Sequence, residues 1–399
     1  MFDPASVRIR GPLRAHAEGF WADLLGQGYA ATSAKNLLLL TAHLARWLEA
    51  EGLPLRDLTE ERAAAFLRRR RRDGYTGFRT RRALDPLLRH LRDKGVVDAP
   101  LPQIDLSPLG VFVEDYRAYL RAERGLAAST IHARAAFAKE FALSERPRLD
   151  WHLLTARDVV SYVRGRCRHA SIPACKHTVT ELRSLLRFLY VQGRTPHDLV
   201  SAVPAVAGWR LSGLPPALGA GQVSALLRSF DGSPVGLRDA AVVRVLLRLG
   251  LRAAEVGALD LEDVDWRLGQ LTVRGKGRHV ARLPLPHDVG RAVAAYLQRG
   301  RPPASTRSLF VRSRAPFTRI RPGAVSHLAT TALRRAGVVA GGAHLLRHTA
   351  ATELLRAGAS LPEIAHVLRH RHIDTTAIYA KVDIPSLAAL ARPWPEVAP

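Results

Sequence analysis

The chain has 399 residues, 47% of them hydrophobic, which is enough for two or three domains with real cores and excludes a disordered tail protein. Its 60 Lys+Arg against 35 Asp+Glu give a formal charge of +25, which points to a polyanionic partner, nucleic acid first. The two cysteines, Cys167 and Cys175, match no metal motif and no secreted disulfide scaffold; no apolar run nears the ~18 residues of a membrane span, and "MFDPASVRIR" lacks a signal-peptide core. These features fit a cytoplasmic protein with no membrane partner. The basic excess is spread along the chain: 18 against 12 over residues 1–100, 16 against 10 over 101–210 and 26 against 13 over 211–399.

Residues 14–200 carry apolar side chains at helical spacing almost throughout, as at Leu84, Leu87, Leu88 and Leu91. An internal repeat runs through this stretch. "GYAATS" at Gly28 returns as "GLAAST" at Gly125, offset 97; "LTEERAAAFLRRR" at Leu58 returns as "LTARDVVSYVRGR" at Leu154, offset 96; "LDPLLRHLRDKG" at Leu84 returns as "LRSLLRFLYVQG" at Leu182, offset 98. Three blocks in one order at nearly one offset predict two copies of a small four- or five-helix domain, over 1–103 and 104–206. In each copy, glycine followed by Ala-Ala-Ser/Thr marks a loop and a helix N-cap. A Gly- and Pro-rich linker spans 207–221. Beyond it, "GQVSALLRSF" and "LRDAAVVRVLLRLGL" read as helices. "GQLTVRGKGRHVARLPLP" reads as a β-hairpin, with Thr272 and Val273 leading in and Val280 to Leu283 leading out. Helices then return, and the tail 385–399 is Pro-rich. The expected fold class is mainly α, with a small β-hairpin or sheet in an α+β domain over 222–384.

Five stretches of that last domain carry chemistry. "LGLRAAEVGAL" puts Arg252 and Glu255 at i, i+3, so on a helix the carboxylate orients the guanidinium; alone, the pair reads as a surface ion pair. "RGKG" puts Lys276 at a hairpin tip, one of only six lysines against 54 arginines. A lysine can give up and recover a proton near neutral pH where an arginine cannot, although a plain phosphate contact reads equally well there. "HLLRHTAATELLRAG" puts His344 and Arg347 at i, i+3, with Leu345, Leu346, Leu354 and Leu355 toward the core and Gly358 suited to the C-cap. His348, one residue on, reads as structural. "SLPEIAHVLRH" opens with a capping box, Ser360 and Glu363, and ends near His370. "DTTAIYAK" then starts a short helix carrying Tyr379.

Two arginines, a lysine, two histidines and a tyrosine suit metal-free attack on a phosphodiester. Tyrosine attacks phosphorus and becomes a phosphotyrosine. The arginines stabilise charge growing on the non-bridging oxygens. The lysine protonates the leaving 5′ oxygen, and the histidines take the tyrosine proton and hold the phosphate. The covalent link conserves the bond energy, so rejoining needs no ATP and no cofactor.

These residues resemble the tyrosine recombinase (phage integrase) family, whose pattern is "GLRxxE", "GKG", "HxLRH" and a final "GH…TTxxY". Here it stands as "GLRAAE", "GKG", "HLLRH" and "RH…TTAIY", over about residues 215–395. The resemblance implies catalytic roles for Arg252, Lys276, His344, Arg347, His370 and Tyr379, with Glu255 supporting the first arginine. Arg278 and Arg282 on the hairpin are candidates for DNA-backbone contacts. Residues 104–206 resemble the family's helical core-binding (SAM-like) domain, which with the catalytic domain would clamp double-stranded DNA. The implied assembly is a homotetramer on DNA through exchange of the C-terminal tail, in the bacterial cytoplasm at the nucleoid, with accessory proteins left open. The expected function is site-specific recombination for a mobile element. A chromosome-dimer resolvase, a type IB topoisomerase and a DNA-binding regulator without catalysis stand as alternatives. Two departures stand out. Arg369 occupies the position where the family usually has glycine, and residues 14–100 add a repeat, expected to extend the DNA footprint.

Overall fold

The computed structural model describes residues 7–99, 105–207, 216–275, 280–369, 376 and 378–379. Two compact units account for the chain: Met1–Ala99 with Gly213–Pro399, and Pro100–Ser212.

The first unit begins with α1 (Ala17–Gly26), α2 (Ala31–Ala50), α3 (Glu60–Arg72) and α4 (Arg81–Asp93). The second unit contains α5 (Pro108–Ala122), α6 (Ala128–Glu145), α7 (Ala156–Cys167) and α8 (Ile172–Val191). Starts of α2 and α6 lie 97 residues apart, starts of α3 and α7 lie 96 apart, and ends of α4 and α8 lie 98 apart. A three-residue 3-10 turn precedes the third helix of each set, Leu55–Asp57 and Trp151–Leu153. A threonine then caps that helix: Thr59 accepts from the Arg62 N–H, and Thr155 forms a full capping box with Asp158. The "AATS" and "AAST" caps differ from expectation. Ala30 and Ala127 sit at the N-cap positions without side-chain bonds, and the Ser and Thr residues fall inside the first turn. Entry into both helices rests instead on Gly28 and Gly125, each at positive φ.

Each four-helix set closes over its own core. Phe20, Leu38, Leu44, Phe66, Leu84 and Leu91 fill the first. Phe112, Tyr116, Phe141, Trp151, Leu182 and Leu185 fill the second. Each such side chain contributes about 1.5–3 kcal/mol by leaving water.

The first unit resumes with α9 (Ala220–Arg228), α10 (Pro234–Leu249) and α11 (Ala253–Ala258). Strands β1 (Val264–Asp265), β2 (Gln270–Arg274) and β3 (Val280–Pro284) follow, paired antiparallel in the order β1-β2-β3. The expected hairpin is β2–β3, with Leu271 opposite Leu283 and Thr272 opposite Arg282. The short β1 makes it a three-stranded sheet, and Leu271, Val273 and Leu283 face the core. Then come α12 (His287–Ala295), continued by a wide turn over Tyr296–Gly300, α13 (Pro322–Arg335), α14 (Ala343–Arg356) and α15 (Leu361–Leu368). Ala241, Val242, Val243, Val245, Leu246, Leu247 and Leu249 of α10 are all buried, so this helix is covered round most of its circumference and lies at the centre. Phe317, in the segment before α13, covers Gly28, and its N–H donates to the Gln27 carbonyl at 3.3 Å. Among the described residues no helix is long and apolar enough to cross a membrane.

Candidate active site

The site starts where α10 stops. Gly250 terminates that helix in the left-handed conformation (φ 58°, ψ 29°), where a Cβ would meet Leu368 Cδ2 at 2.5 Å. Two residues on, Arg252 is the N-cap of α11, with extended backbone (φ −76°, ψ 152°). This corrects the expectation that Arg252 and Glu255 share a helix face. Glu255 instead reaches back from the third helical position. It accepts the Arg252 backbone N–H at Oε2 (2.8 Å) and the Arg252 Nη1–H at Oε1 (2.8 Å). A carboxylate in this place satisfies a free helix N–H and fixes the guanidinium in one geometry.

Glu255 has a second cationic partner. Arg369 Nη2 donates to its Oε2 at 2.8 Å, across 114 residues of sequence. Arg369 is the C-cap of α15 in the left-handed conformation (φ 56°, ψ 46°), the place that suits glycine. A second nitrogen, Nη1, donates to the Val367 carbonyl at 2.6 Å. Burial alone would push the Glu255 pKa up. The Arg252 N–H and the Arg369 charge outweigh it and hold the carboxyl below its usual range, ionised at neutral pH.

Helix α14 supplies the next groups, but not with His344 and Arg347 on one open face. His344 is exposed, whereas Arg347 is 3% exposed and turned inward. The Arg347 Nη1 donates to the Gly250 carbonyl and its Nη2 to the Leu368 carbonyl, so one fork ties the ends of α10 and α15 together. Burial, then the charges of Arg252 and Arg369, lower its pKa to about 10, which leaves it cationic at pH 7. Of the four leucines expected in the core, Leu346 and Leu355 are buried and Leu345 and Leu354 half-buried.

Tyr379 is 1% exposed and packs with Ala351, Leu355, Ile364 and Leu368. Its hydroxyl lies 2.7 Å from His348 Nδ1. The structure thus brings to the tyrosine His348, which reads as structural in the sequence. The signal was present: His348 follows His344 by one helical turn, and the two rings meet edge to face at 5.1 Å. Partial desolvation lowers the pKa of both histidines, for His344 through the part of the ring that packs on the helix although the residue as a whole is exposed, and the Arg347 charge adds to it. Burial raises that of Tyr379, against the pull of Arg347. The phenol and the imidazole are therefore both neutral at pH 7, and the direction of their hydrogen bond follows the imidazole tautomer. Arg282 lies exposed on β3. Lys276, Arg278 and His370, like the tail over 385–399, lie outside the described residues.

Residues 217–384 match the phage integrase family. "Putative integrase/recombinase y4rA" of Sinorhizobium fredii is 39% identical over 395 residues, 96% of this chain and 95% of that one. Tyrosine recombinase XerD of Mycobacterium tuberculosis is 30% identical over 305 residues, 71% of this chain and 96% of that one. The chain belongs to the tyrosine recombinase (phage integrase) family, enzymes that cut and rejoin DNA, and it is a site-specific recombinase of that class. Its fold is that of XerH site-specific recombinase, solved on a palindromic difH substrate (TM-score 0.55, 18% identity, 74% of this chain and 91% of that one). The lambda integrase dimer solved on a core site matches equally well (TM-score 0.55, 16% identity, 72% and 98%).

Proposed function

We propose that Tyr379 is the nucleophile with which this recombinase cuts double-stranded DNA. The observation that carries the assignment is the Tyr379–His348 hydrogen bond, on a helix whose Arg347 is fixed beside Arg252 and Glu255. The phenolic oxygen attacks phosphorus, the bond from phosphorus to the 5′ oxygen breaks, and a 3′-phosphotyrosine forms. The phenolic proton leaves to a histidine of the site, and Lys276 gives a proton to the departing 5′ oxygen. Arg252, open to solvent, meets the charge that grows on the non-bridging oxygens, and Arg347, its fork engaged on the Gly250 and Leu368 carbonyls, adds its positive charge from beneath, with His344 and His370 contacting the phosphate. Rejoining runs the same steps backwards with another strand's 5′-hydroxyl, without ATP. The working form is a homotetramer on DNA, built by exchange of the C-terminal tail, in the cytoplasm. The N-terminal repeat extends the bound length of DNA.

The biological role is integration, excision or transposition of a mobile element. The integrase/recombinase from Sinorhizobium fredii aligns over 96% of this chain, whereas the XerD relative leaves more than a quarter of it unmatched, which favours this role over chromosome-dimer resolution. Covalent capture tests the chemistry. A nicked duplex, built on the site that the chain selects from a randomised pool, should give a protease-sensitive adduct mapping to Tyr379 by mass spectrometry. Tight binding without an adduct would make the chain a DNA-binding protein that keeps the family's residues without the activity.

A further inference from the structure

We propose that Arg369 is a positioning residue for strand cleavage: its guanidinium supplies the counter-charge for Glu255, so that Arg252, oriented by the same carboxylate, keeps its own positive charge for the scissile phosphate. The inference rests on the proposed phosphotyrosine chemistry. Three groups meet here: one carboxylate, 5% exposed, and two guanidiniums. The Arg252 side chain is 42% exposed and that of Arg369 10% exposed. Only Arg252 can therefore meet a phosphate at the surface. Arg252 and Glu255 alone would form a neutral pair, and an incoming phosphate would compete with a carboxylate already holding the cation. With Arg369 added, the cluster carries one net positive charge, and its solvent-facing member is Arg252.

The backbone argues the same way. A plain helix stop at position 369 is served best by glycine, because a side chain in the left-handed region is strained. This chain carries its longest cationic side chain there, and both terminal nitrogens of that side chain are engaged, one on Glu255 and one on the Val367 carbonyl. The guanidinium, not the turn, accounts for the residue.

Substitution by glycine separates the two, since it relieves the backbone and deletes the charge. Native chain, Arg369→Gly and Arg369→Lys are compared on the selected nicked duplex, with single-turnover adduct formation, duplex affinity and melting temperature measured for each. Arg369→Gly should form adduct 10–100-fold more slowly, on the order expected for a misplaced transition-state contact, with duplex affinity changed by no more than about twofold. Arg369→Lys, which restores the charge, should recover most of the rate. Arg369→Gly at the native rate, Arg369→Lys no faster than Arg369→Gly, or an Arg369→Gly chain that fails to fold would each overturn the proposal. Absence of adduct from the native chain is a separate result. It removes the nucleophile assignment, and the role of Arg369 falls with it.

Discussion

The Tyr379 hydroxyl and His348 Nδ1 are 2.7 Å apart in a pocket that leaves the tyrosine 1% exposed. The phenol is therefore held away from solvent, and the proposed attack on phosphorus would require it to leave its apolar neighbours. Tyr379→Phe should abolish the covalent adduct while costing only about 1–2 kcal/mol of stability, through the one hydrogen bond lost at the half-buried His348. Urea unfolding beside the adduct assay checks both. His348→Ala should slow adduct formation on the order of 10²-fold, the usual worth of a positioned proton acceptor. An unchanged rate would return His348 to a packing role.

Arg347→Lys tests the fork that joins α10 to α15. Lysine keeps the charge but cannot donate in two fixed directions to the Gly250 and Leu368 carbonyls. The variant should lose about 2 kcal/mol of stability as one buried carbonyl goes unpaired, and most of its cleavage rate. Native stability with low activity would mean that the arginine serves the phosphate alone.

Gly250→Ala should fail for a steric reason. The position is left-handed, and the new methyl would press on Leu368, whose carbonyl Arg347 holds. A cost of about 1–3 kcal/mol is expected from strain and overpacking. Thermal unfolding reads it directly.

Acid should weaken the fold before it reaches the carboxylates. His344, His348 and His43 all have pKa values below the ordinary 6.5, with burial the leading cause. The unfolded chain takes up protons near pH 6.5 while the folded chain resists them, so stability is complete above that pH and falls as pH drops through it. Melting temperatures should be level from about pH 7 to 8 and decline below about 6.5. His348→Gln should show a shallower decline, and a variant as steep as the native chain would exclude that histidine as a source.

What could be read in advance was local. The Ser360–Glu363 capping box is a run of a few residues whose spacing states its geometry, and the repeat offsets reappear in the helix boundaries, whereas "GLRAAE" and "HLLRH" are as short but do not give their own placement. The misreadings have local causes too. A helical i, i+3 pair and an N-cap with its third residue have the same spacing, so Arg252 was assigned to the wrong side of a helix boundary. β1 is two residues long, too short for any alternation to register. Other features depend on tertiary approach. That Glu255 would find Arg369, or that Arg347 would turn inward to two carbonyls, follows from how α10, α14 and α15 end beside one another, and no sequence period encodes that.

One property of the first unit bears on how the protein is made. Its two stretches, Met1–Ala99 and Gly213–Pro399, are interrupted by the whole of the second unit. Translation at about 5–20 residues per second delivers the opening four helices, then a self-contained second unit, and only afterwards the partners of the first. The Gln27–Phe317 contact closes a loop of nearly three hundred residues, a connection whose entropy grows only logarithmically with length but whose timing is late. Until Phe317 arrives, the hollow at Gly28 stays uncovered on the nascent chain. The residues of the candidate site follow the same schedule, Arg252 before Arg347 and Tyr379 after both. A half-synthesised recombinase therefore carries many of its basic helices while it still lacks Tyr379.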